Sequence, residues 1–496
     1  MPEQCLSIKT CYSNASQVMR CFTNYDDGVF KYHLLDLKEY NNLRINTYII
    51  DSQKWPIEKH QDIPTTIWQH RITFYIPKEI SSKKALLYVL GGESNDKDGN
   101  KRFKDSKESL DFYRLSLDNK LPVIVLQDVP NQYLLIESSA KKEDQIIAYT
   151  YKKVIEDPIN NAYLAGHLPM VKSIIKAMDA ASMIFDENHI DITNFILVGA
   201  SKRGWAAWLA SLEDSRVSAL VAIVVDILNV EKNIKHICNS YKSGCPIVLK
   251  DYKASGLLNN LGTDEVRYLM DIEDPYSYLK LPNYFKQASI PKYLINAAGD
   301  DFYAPDSSKF YFSDLLRNNY IRYLPKAMHY FAGNIISDFL GNKDKVNSAL
   351  SNYIYFHNNE VILPAISWAF SEDRIFISSS FIPTQVKLWT AYNSNERDFK
   401  FLSSYSNFHL LTKSFMIWFS KTFSVSVDLC DNCYQEKLAI YNCLEQDICN
   451  IDIELPNLSN GWRASFAELH YNIDEREFIV TTEINIYPNT YPEYEI

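Results

Sequence analysis

Between residues 85 and 299 the chain repeats one pattern: a short run of uninterrupted apolar residues, then a stretch with helical periodicity. The runs are "ALLYVLGG" (85–92), "LPVIVLQ" (121–127), "NFILVGA" (194–200), "VSALVAIVV" (217–225) and "KYLINAAG" (292–299). Helical stretches between them include "PMVKSIIKAMDAASMIF" (169–185) and "RGWAAWLASL" (203–212). A strand with one face in water alternates apolar with polar residues, whereas a strand apolar throughout has both faces covered. Strands of this kind separated by helices predict a mostly parallel sheet with helices on both sides, an α/β fold.

The pattern stops near residue 360. Beyond it come short strand-like pieces at about ten-residue spacing with turn residues between them, such as "ISWAF", "RIFISSS", "QVKLWTAY", "KSFMIWFS", "NIDIEL" and "RASFAELHY". The alternation of Phe423, Val425, Val427 and Leu429 suits a strand of an all-β sandwich. A chain of 496 residues has room for both architectures. The expected organisation is an N-terminal extension over 1–45, an α/β domain over 46–360 closed by a helix at 343–359, and an immunoglobulin-like β-sandwich over 361–496.

The stretch "FILVGASKRGWAAWLA" (195–210) runs a buried strand into Gly-x-Ser and then into a helix. In a nucleophile elbow the serine sits on that sharp turn, its Oγ projects above the sheet, and the next backbone N–H helps to hold an oxyanion. The usual second glycine is displaced: Arg203 stands in its place and Gly204 follows. Ser201 is thus either a nucleophile or a helix cap, a role that serine also favours.

A serine hydrolase of this architecture needs an acid and then a histidine on later strand ends. "YLINAAGDDFYAP" is an apolar strand ending at Asp300, with Asp301 beside it and Asp306 a little further on. "YIRYLPKAMHYFAGN" then brings a strand to a loop carrying His329. Ser201, Asp300 and His329 fall in the required order.

Long stretches of the chain resemble the PhoPQ-activated pathogenicity-related (autocrine proliferation repressor-like) family. They include "DSQKWP" (51–56), "LLYVLGGESN" (86–95), "VPNQYL" (129–134), "EDQIIAYTY" (143–151), "VGASKRGWAAWLA" (198–210), "AAGDDFYAPDSSKFYF" (297–312) and "YLPKAMHYF" (323–331). The resemblance implies a doubly wound α/β-hydrolase sheet followed by an all-β C-terminal domain. It also implies an elbow that carries Lys-Arg where other hydrolases place a small residue. Carried over by position, Ser201 is the nucleophile, Asp300 the acid and His329 the base; Asp301 stands where that family tends to carry Glu. An oxyanion or substrate would meet Lys202, Gly92 and Glu93, and the loop residues Asn131, Gln132, Glu143 and Asp144. The last four serve either to bind substrate or to hold loops together by buried hydrogen bonds.

The expected activity is acyl transfer through an acyl-enzyme, peptidase-like in the manner of an aminopeptidase or dipeptidyl-peptidase. Glu143 and Asp144 read either as helix N-terminal acids favoured by the macrodipole or as carboxylates for a substrate ammonium. The alternatives are a carboxylesterase, or a non-catalytic signalling or virulence protein on a hydrolase scaffold. The substrate is then a peptide or small ester, with no cofactor and no metal. A net charge of −10 with interspersed lysine and arginine argues against nucleic-acid binding. No apolar run is long enough to span a membrane. The first residues lack an ordinary secretory signal, which points to a cytoplasmic protein or export by another route. Nine scattered cysteines without such a signal are expected to be mostly free thiols. The cluster Cys430, Cys433, Cys443 and Cys449 reads as free or locally paired thiols, with a zinc site the weaker alternative.

Overall fold

The computed structural model describes residues 11–106, 110–316, 318–332, 341–400, 434–441, 443 and 448–493. They form two compact units, the first within Met1–Glu231, Leu249–Lys292 and Asp314–Arg317, the second within Lys232–Val248, Tyr293–Ser313 and Asn318–Ile496.

In the first unit seven strands lie side by side in the order Lys31–Glu39, Leu43–Trp55, Thr66–Pro77, Val123–Leu126, Lys84–Val89, Asn194–Ala200 and Val217–Ile223. The first four neighbours pair antiparallel, and the four strands from Val123–Leu126 onward pair parallel. Counted from Leu43–Trp55, the spatial order is first, second, fourth, third, fifth, sixth, which is the crossover order of an α/β-hydrolase sheet. The apolar runs are buried as their composition requires: every residue of Val123–Leu126 is buried, as are Phe195 to Ala200. Helices Phe112–Asn119, His167–Glu187 and Lys202–Glu213 pack on this sheet. The segment before residue 45 supplies the edge strand Lys31–Glu39 and a helix, Ala15–Asn24, capped by Asn14 through the Ser16 N–H.

A polar knot crosses the buried side of this sheet. The Ser173 hydroxyl lies 3.0 Å from His70 Nε2 and 3.1 Å from Ser52 Oγ, accepts from Gln53 Nε2 at 3.0 Å and donates to the Pro169 carbonyl at 2.8 Å. His70 Nδ1 lies 3.0 Å from the Asp128 carbonyl. Burial pushes the His70 imidazole down to about 4, so it is neutral at pH 7. The Ser52 and Gln53 of "DSQKWP" thereby lock the strand Leu43–Trp55 to the helix His167–Glu187.

In the second unit the strands Lys292–Ala297 and Asn319–Leu324 are neighbours. Beyond residue 360 the strands form two antiparallel sheets. One holds Ile366–Phe370, Arg374–Ser379 and Cys449–Glu454; the other holds Gln435–Leu438, Gln385–Asn393, Trp462–Ile473 and Arg476–Thr481, with Asn485–Tyr487 also paired to Trp462–Ile473. The alternating residues Phe423 to Leu429 and the strand expected at "KSFMIWFS" lie outside the described residues.

The cysteines differ from the expectation of mostly free thiols. Cys11 is bonded to Cys21, Cys238 to Cys245 and Cys443 to Cys449, at sequence separations of 10, 7 and 6. Such local pairs close short loops and need no overall framework, so an odd total says little about them. Cys443 and Cys449 are thus joined to each other rather than arranged as zinc ligands, and Cys430 and Cys433 lie outside the described residues.

Candidate active site

Ser201 ends the buried strand Asn194–Ala200 and precedes the helix Lys202–Glu213 with φ 54° and ψ −131°. A non-glycine residue in that region is strained, and strain of this kind persists only where the surroundings enforce it. Here they do so through the backbone. The Ser201 N–H donates to the Ile223 carbonyl at 2.9 Å, and the Ser201 carbonyl accepts from the Trp205 N–H at 2.9 Å. The Ser201 side chain makes no cap to the helix. A buried strand, a positive-φ turn and a helix thus follow one another at Ser201 without a capping bond.

The displaced glycine has a steric reason. A Cβ on Gly204 would lie 2.6 Å from the Gly199 carbonyl oxygen and 2.6 Å from Val225 Cγ2. A Cβ on Gly199 would lie 2.6 Å from the Arg203 carbonyl oxygen. The close approach of strand and helix is therefore made by Gly199 and Gly204, and the position between Lys202 and Gly204 is left for a long side chain.

Arg203 uses that position as a clamp. Its Nε donates to the Val129 carbonyl at 2.7 Å and its Nη2 to Glu143 Oε1 at 2.6 Å. Its guanidinium fills the space where a Cβ on Gly91 would sit, 2.7 Å from Nη2. Gln132 completes the arrangement, donating from Nε2 to the Gly92 carbonyl at 2.7 Å and to Glu143 Oε1 at 2.8 Å, and accepting the Glu143 N–H at 2.9 Å. Asn131 Oδ1 accepts from Ser94 Oγ at 2.7 Å and from the Gln69 N–H at 3.3 Å. Glu93 faces Lys104 at 3.3 Å and Lys142 at 3.6 Å. Gly92 adopts φ +144°, and a Cβ there would meet Asp128 Oδ1 at 2.2 Å.

Lys202 sits between two carboxylates, 3.0 Å from Glu143 and 3.3 Å from Asp144. Asp144 also accepts from the Tyr252 hydroxyl at 3.0 Å. Burial by itself would raise the Glu143 carboxyl. The Arg203 and Lys202 charges, with hydrogen bonds from Arg203 and Gln132, overcome it and hold Glu143 well below the usual carboxylate range. Burial would lower the Lys202 ammonium, but Asp144 and Glu143 overcome it and raise the group. Gly92, Gln132, Glu143, Asp144 and Lys202 are thus brought into one bonded network, which Asn131 joins through Ser94.

In the second unit, His329 Nδ1 lies 3.0 Å from Asp300 Oδ2 and 3.2 Å from Asp300 Oδ1. Asp300 Oδ1 also accepts the Phe302 N–H at 2.7 Å and the Tyr303 N–H at 3.3 Å, so a backbone turn aims the carboxylate. Asp300, the first of the acids the sequence offered, is thus bonded to His329. The imidazole is buried, with the Phe302 ring centroid 4.4 Å away and Tyr303 at 5.5 Å. Asp306 has a different task. It pairs with His236 Nε2 at 2.7 Å, Lys309 at 2.7 Å and the buried guanidinium of Arg397, anchoring the acid loop to the loop after Gln385–Asn393.

Sequence reasoning noted Arg203 only as a departure from a motif, and it missed the buried histidine pairs other than His329 with Asp300. His167 Nδ1 bonds Glu273, whose other oxygen accepts the His167 N–H at 3.0 Å, and Tyr151 donates to Glu273 at 3.0 Å. Trp205, one turn into the elbow helix, stacks on His167 at 4.8 Å and donates to the Glu273 carbonyl at 2.6 Å. No local signal links residues so far apart in the chain.

The chain is similar to autocrine proliferation repressor protein A of Dictyostelium discoideum, at 28% identity over 95% of this chain and 90% of that protein. Among solved structures it is similar to acetyl xylan esterase 1 from Thermoanaerobacterium sp. JW/SL YS485, at 13% identity and a TM-score of 0.41, covering 65% of this chain and 88% of that one. It is also similar to the acylaminoacyl peptidase of Pyrococcus horikoshii, at 13% identity and a TM-score of 0.39, covering 66% of this chain and 50% of that one. Residues 19–400, which include the elbow, the Arg203 network and the Asp300–His329 pair, match the family described as PhoPQ-activated pathogenicity-related protein, and the chain belongs to that family.

Proposed function

We propose that this protein is a serine hydrolase that works through an acyl-enzyme, with Ser201 as nucleophile, His329 as general base and Asp300 as the acid that orients it. The observation that carries the reading is the strained backbone of Ser201, held without any side-chain cap. In this scheme His329 Nε2 takes the Ser201 proton as Oγ attacks the acyl carbon, and later returns it to the leaving group. Asp300, bonded at Nδ1, fixes the tautomer that leaves Nε2 unprotonated and stabilises the imidazolium that forms. The Lys202 N–H at the head of the helix is one oxyanion donor. A backbone N–H of the Gly91–Asn95 segment is the second in this scheme; those of Ser94 and Asn95 are already bonded to the Gln132 carbonyl.

Two acyl substrates fit this chemistry. An exopeptidase must neutralise a substrate ammonium with fixed carboxylates. Glu143 and Asp144 were the candidates, and they are engaged by Arg203, Lys202 and Tyr252. This favours an uncharged acyl group, and so a carboxylic ester over a peptide with a free N-terminus. The test is labelling by a fluorophosphonate probe, followed by rates on an aryl ester and an aminoacyl anilide. Labelling abolished by Ser201→Ala, with ester turnover dominant, is expected. Unlabelled wild type, or labelled Ser201→Ala, refutes the nucleophile and leaves a binding protein on a hydrolase scaffold.

A further inference from the structure

The second unit contains a cavity of about 540 Å³, within the range of small-molecule sites, that the hydrolytic chemistry does not use. Its walls are the end of the strand Asn319–Leu324 with the turn after it, the helix Asn342–Asn358 and strands of the larger C-terminal sheet. Two lining side chains have buried donors without an acceptor. Arg322 is 7% exposed and its Nε has no hydrogen-bond partner; Trp389 is 7% exposed and its Nε1 has none. A guanidinium and an indole N–H can only donate, so an acceptor is what this wall lacks.

The charges lean the same way. Lys326, Lys345 and Lys387 line the cavity with Arg322. Of the carboxylates, Glu436 is paired with Lys387 at 3.3 Å, while Glu468 and Glu477 both bond the ring of His470, at 2.7 and 2.9 Å. Burial opposes protonation of His470, but these two bonds prevail and raise its pKa. Arg322, Lys326, Lys345 and Lys387 thus stand beside Asp344, Glu436, Glu468 and Glu477, of which Glu436, Glu468 and Glu477 are already engaged by Lys387 and His470. Lys345 is pushed down by burial and by the charges of Arg322, Lys326 and Lys387, with Glu468 opposing them. Crowded cations of this kind are relieved by a bound anion.

We propose that this cavity binds a small molecule through an oxyanion, a phosphate or carboxylate group, held by Arg322, Lys326 and Lys345. Arg322 offers the planar fork suited to such a group, and the lysines add flexible charge at the rim. The turn that forms one wall also accepts the Ala298 N–H at Leu324, 3.0 Å, and the Gly299 N–H at Ala327, 3.2 Å, so the site adjoins the segment that carries Asp300. Binding is nevertheless independent of whether the protein hydrolyses anything.

The test is calorimetric titration of the full chain with inorganic phosphate and with citrate, at constant ionic strength set by chloride. Saturable one-to-one binding of at least one probe is expected. Lys326→Ala, at an exposed position where folding is undisturbed, weakens that binding about tenfold, the loss of one charge-assisted hydrogen bond. Arg322→Lys, which keeps the charge but not the fork, weakens it as well. No saturable binding by either probe, or a change below about fivefold in Lys326→Ala, overturns the assignment.

Discussion

Replacing Arg203 by Leu tests the clamp that stands in for the second glycine of the elbow. The substitution removes two hydrogen bonds from a buried guanidinium, 2.7 Å to the Val129 carbonyl and 2.6 Å to Glu143, and leaves the Glu143 carboxylate paired with Lys202 and in the field of Lys142. A hydrogen bond to a charged group contributes about 1.5–3 kcal/mol, and breaking a buried pair from one side costs about 3–5 kcal/mol. With 30% of the Glu143 side chain exposed, solvent screens part of that, so about 3 kcal/mol at pH 7 is expected. The pH dependence separates the ionic part from the packing part. Glu143 has a folded pKa depressed below its ordinary 4.5, so its contribution is complete above the unfolded pKa and is lost as pH falls below it. The variant, whose Glu143 returns toward the ordinary range, has less of this to lose. Urea unfolding of both proteins from pH 7 to pH 3 therefore gives a stability gap that narrows as the solution is acidified, with m unchanged. A gap that stays constant over that range, or is below about 1 kcal/mol at pH 7, refutes the argument that the ion pair holds the elbow.

Asp300→Asn removes the carboxylate that fixes the His329 tautomer, and should lower kcat on an aryl ester by about 10³–10⁴ with little change in KM; undiminished kcat would remove Asp300 from the mechanism. Gly204→Ala puts a methyl 2.6 Å from the Gly199 carbonyl oxygen, so a loss of about 2–3 kcal/mol in urea unfolding and slower probe labelling are expected, and a neutral effect would contradict the close packing. His70, neutral in the fold with its pKa lowered from 6.5 to about 4, makes stability fall as pH drops from 6.5 to 4, because the unfolded chain takes up the proton first. That slope amounts to about 3 kcal/mol at about 1.4 kcal/mol per unit, and His70→Gln should flatten it; an unchanged slope would assign the acid sensitivity elsewhere.

The α/β sheet was legible because burial on both faces leaves a mark in composition: "FILVGA" and "VSALVAI" cannot be half-exposed strands, and they are buried almost throughout. The edge strand Lys31–Glu39 left no such mark. Exposed along nearly its whole length, "KYHLLDLKE" lacks both the continuous apolar run and a clean alternation, so periodicity had nothing to read. The antiparallel start of the sheet was hidden for a related reason. Leu43–Trp55 and Thr66–Pro77 carry Asn46, Ser52, Gln53, His70 and Thr73 in the core, and the bonds that make their burial tolerable come from residues such as Ser173, distant in sequence.

At the site, order and spacing led to Ser201, Asp300 and His329, since these follow from where strands end. What spacing could not convey is which charges already have partners. Glu143 and Asp144 read either as acids favoured at a helix start or as carboxylates for a substrate ammonium, because the cations that take them lie some sixty residues away on another element. The same fact inverts the meaning of the motif's apparent defect. With Arg203 at the position after Lys202, the turn gives up a small residue and gains a guanidinium that reaches the Val129 carbonyl and Glu143, tying the Ser201 turn to the segments that carry them. Gly204 restores the close packing one residue later, and Gly91 leaves the guanidinium its space. On the proposed mechanism the arginine is a positioning residue whose partner is Glu143, and a substitution at either one should disturb labelling of Ser201 in the same direction. Glu143→Gln retains the hydrogen-bonding shape but loses the charge, so it should slow labelling less than Arg203→Leu. A Glu143→Gln protein that labels more slowly than Arg203→Leu would mean that Glu143 meets the substrate after all.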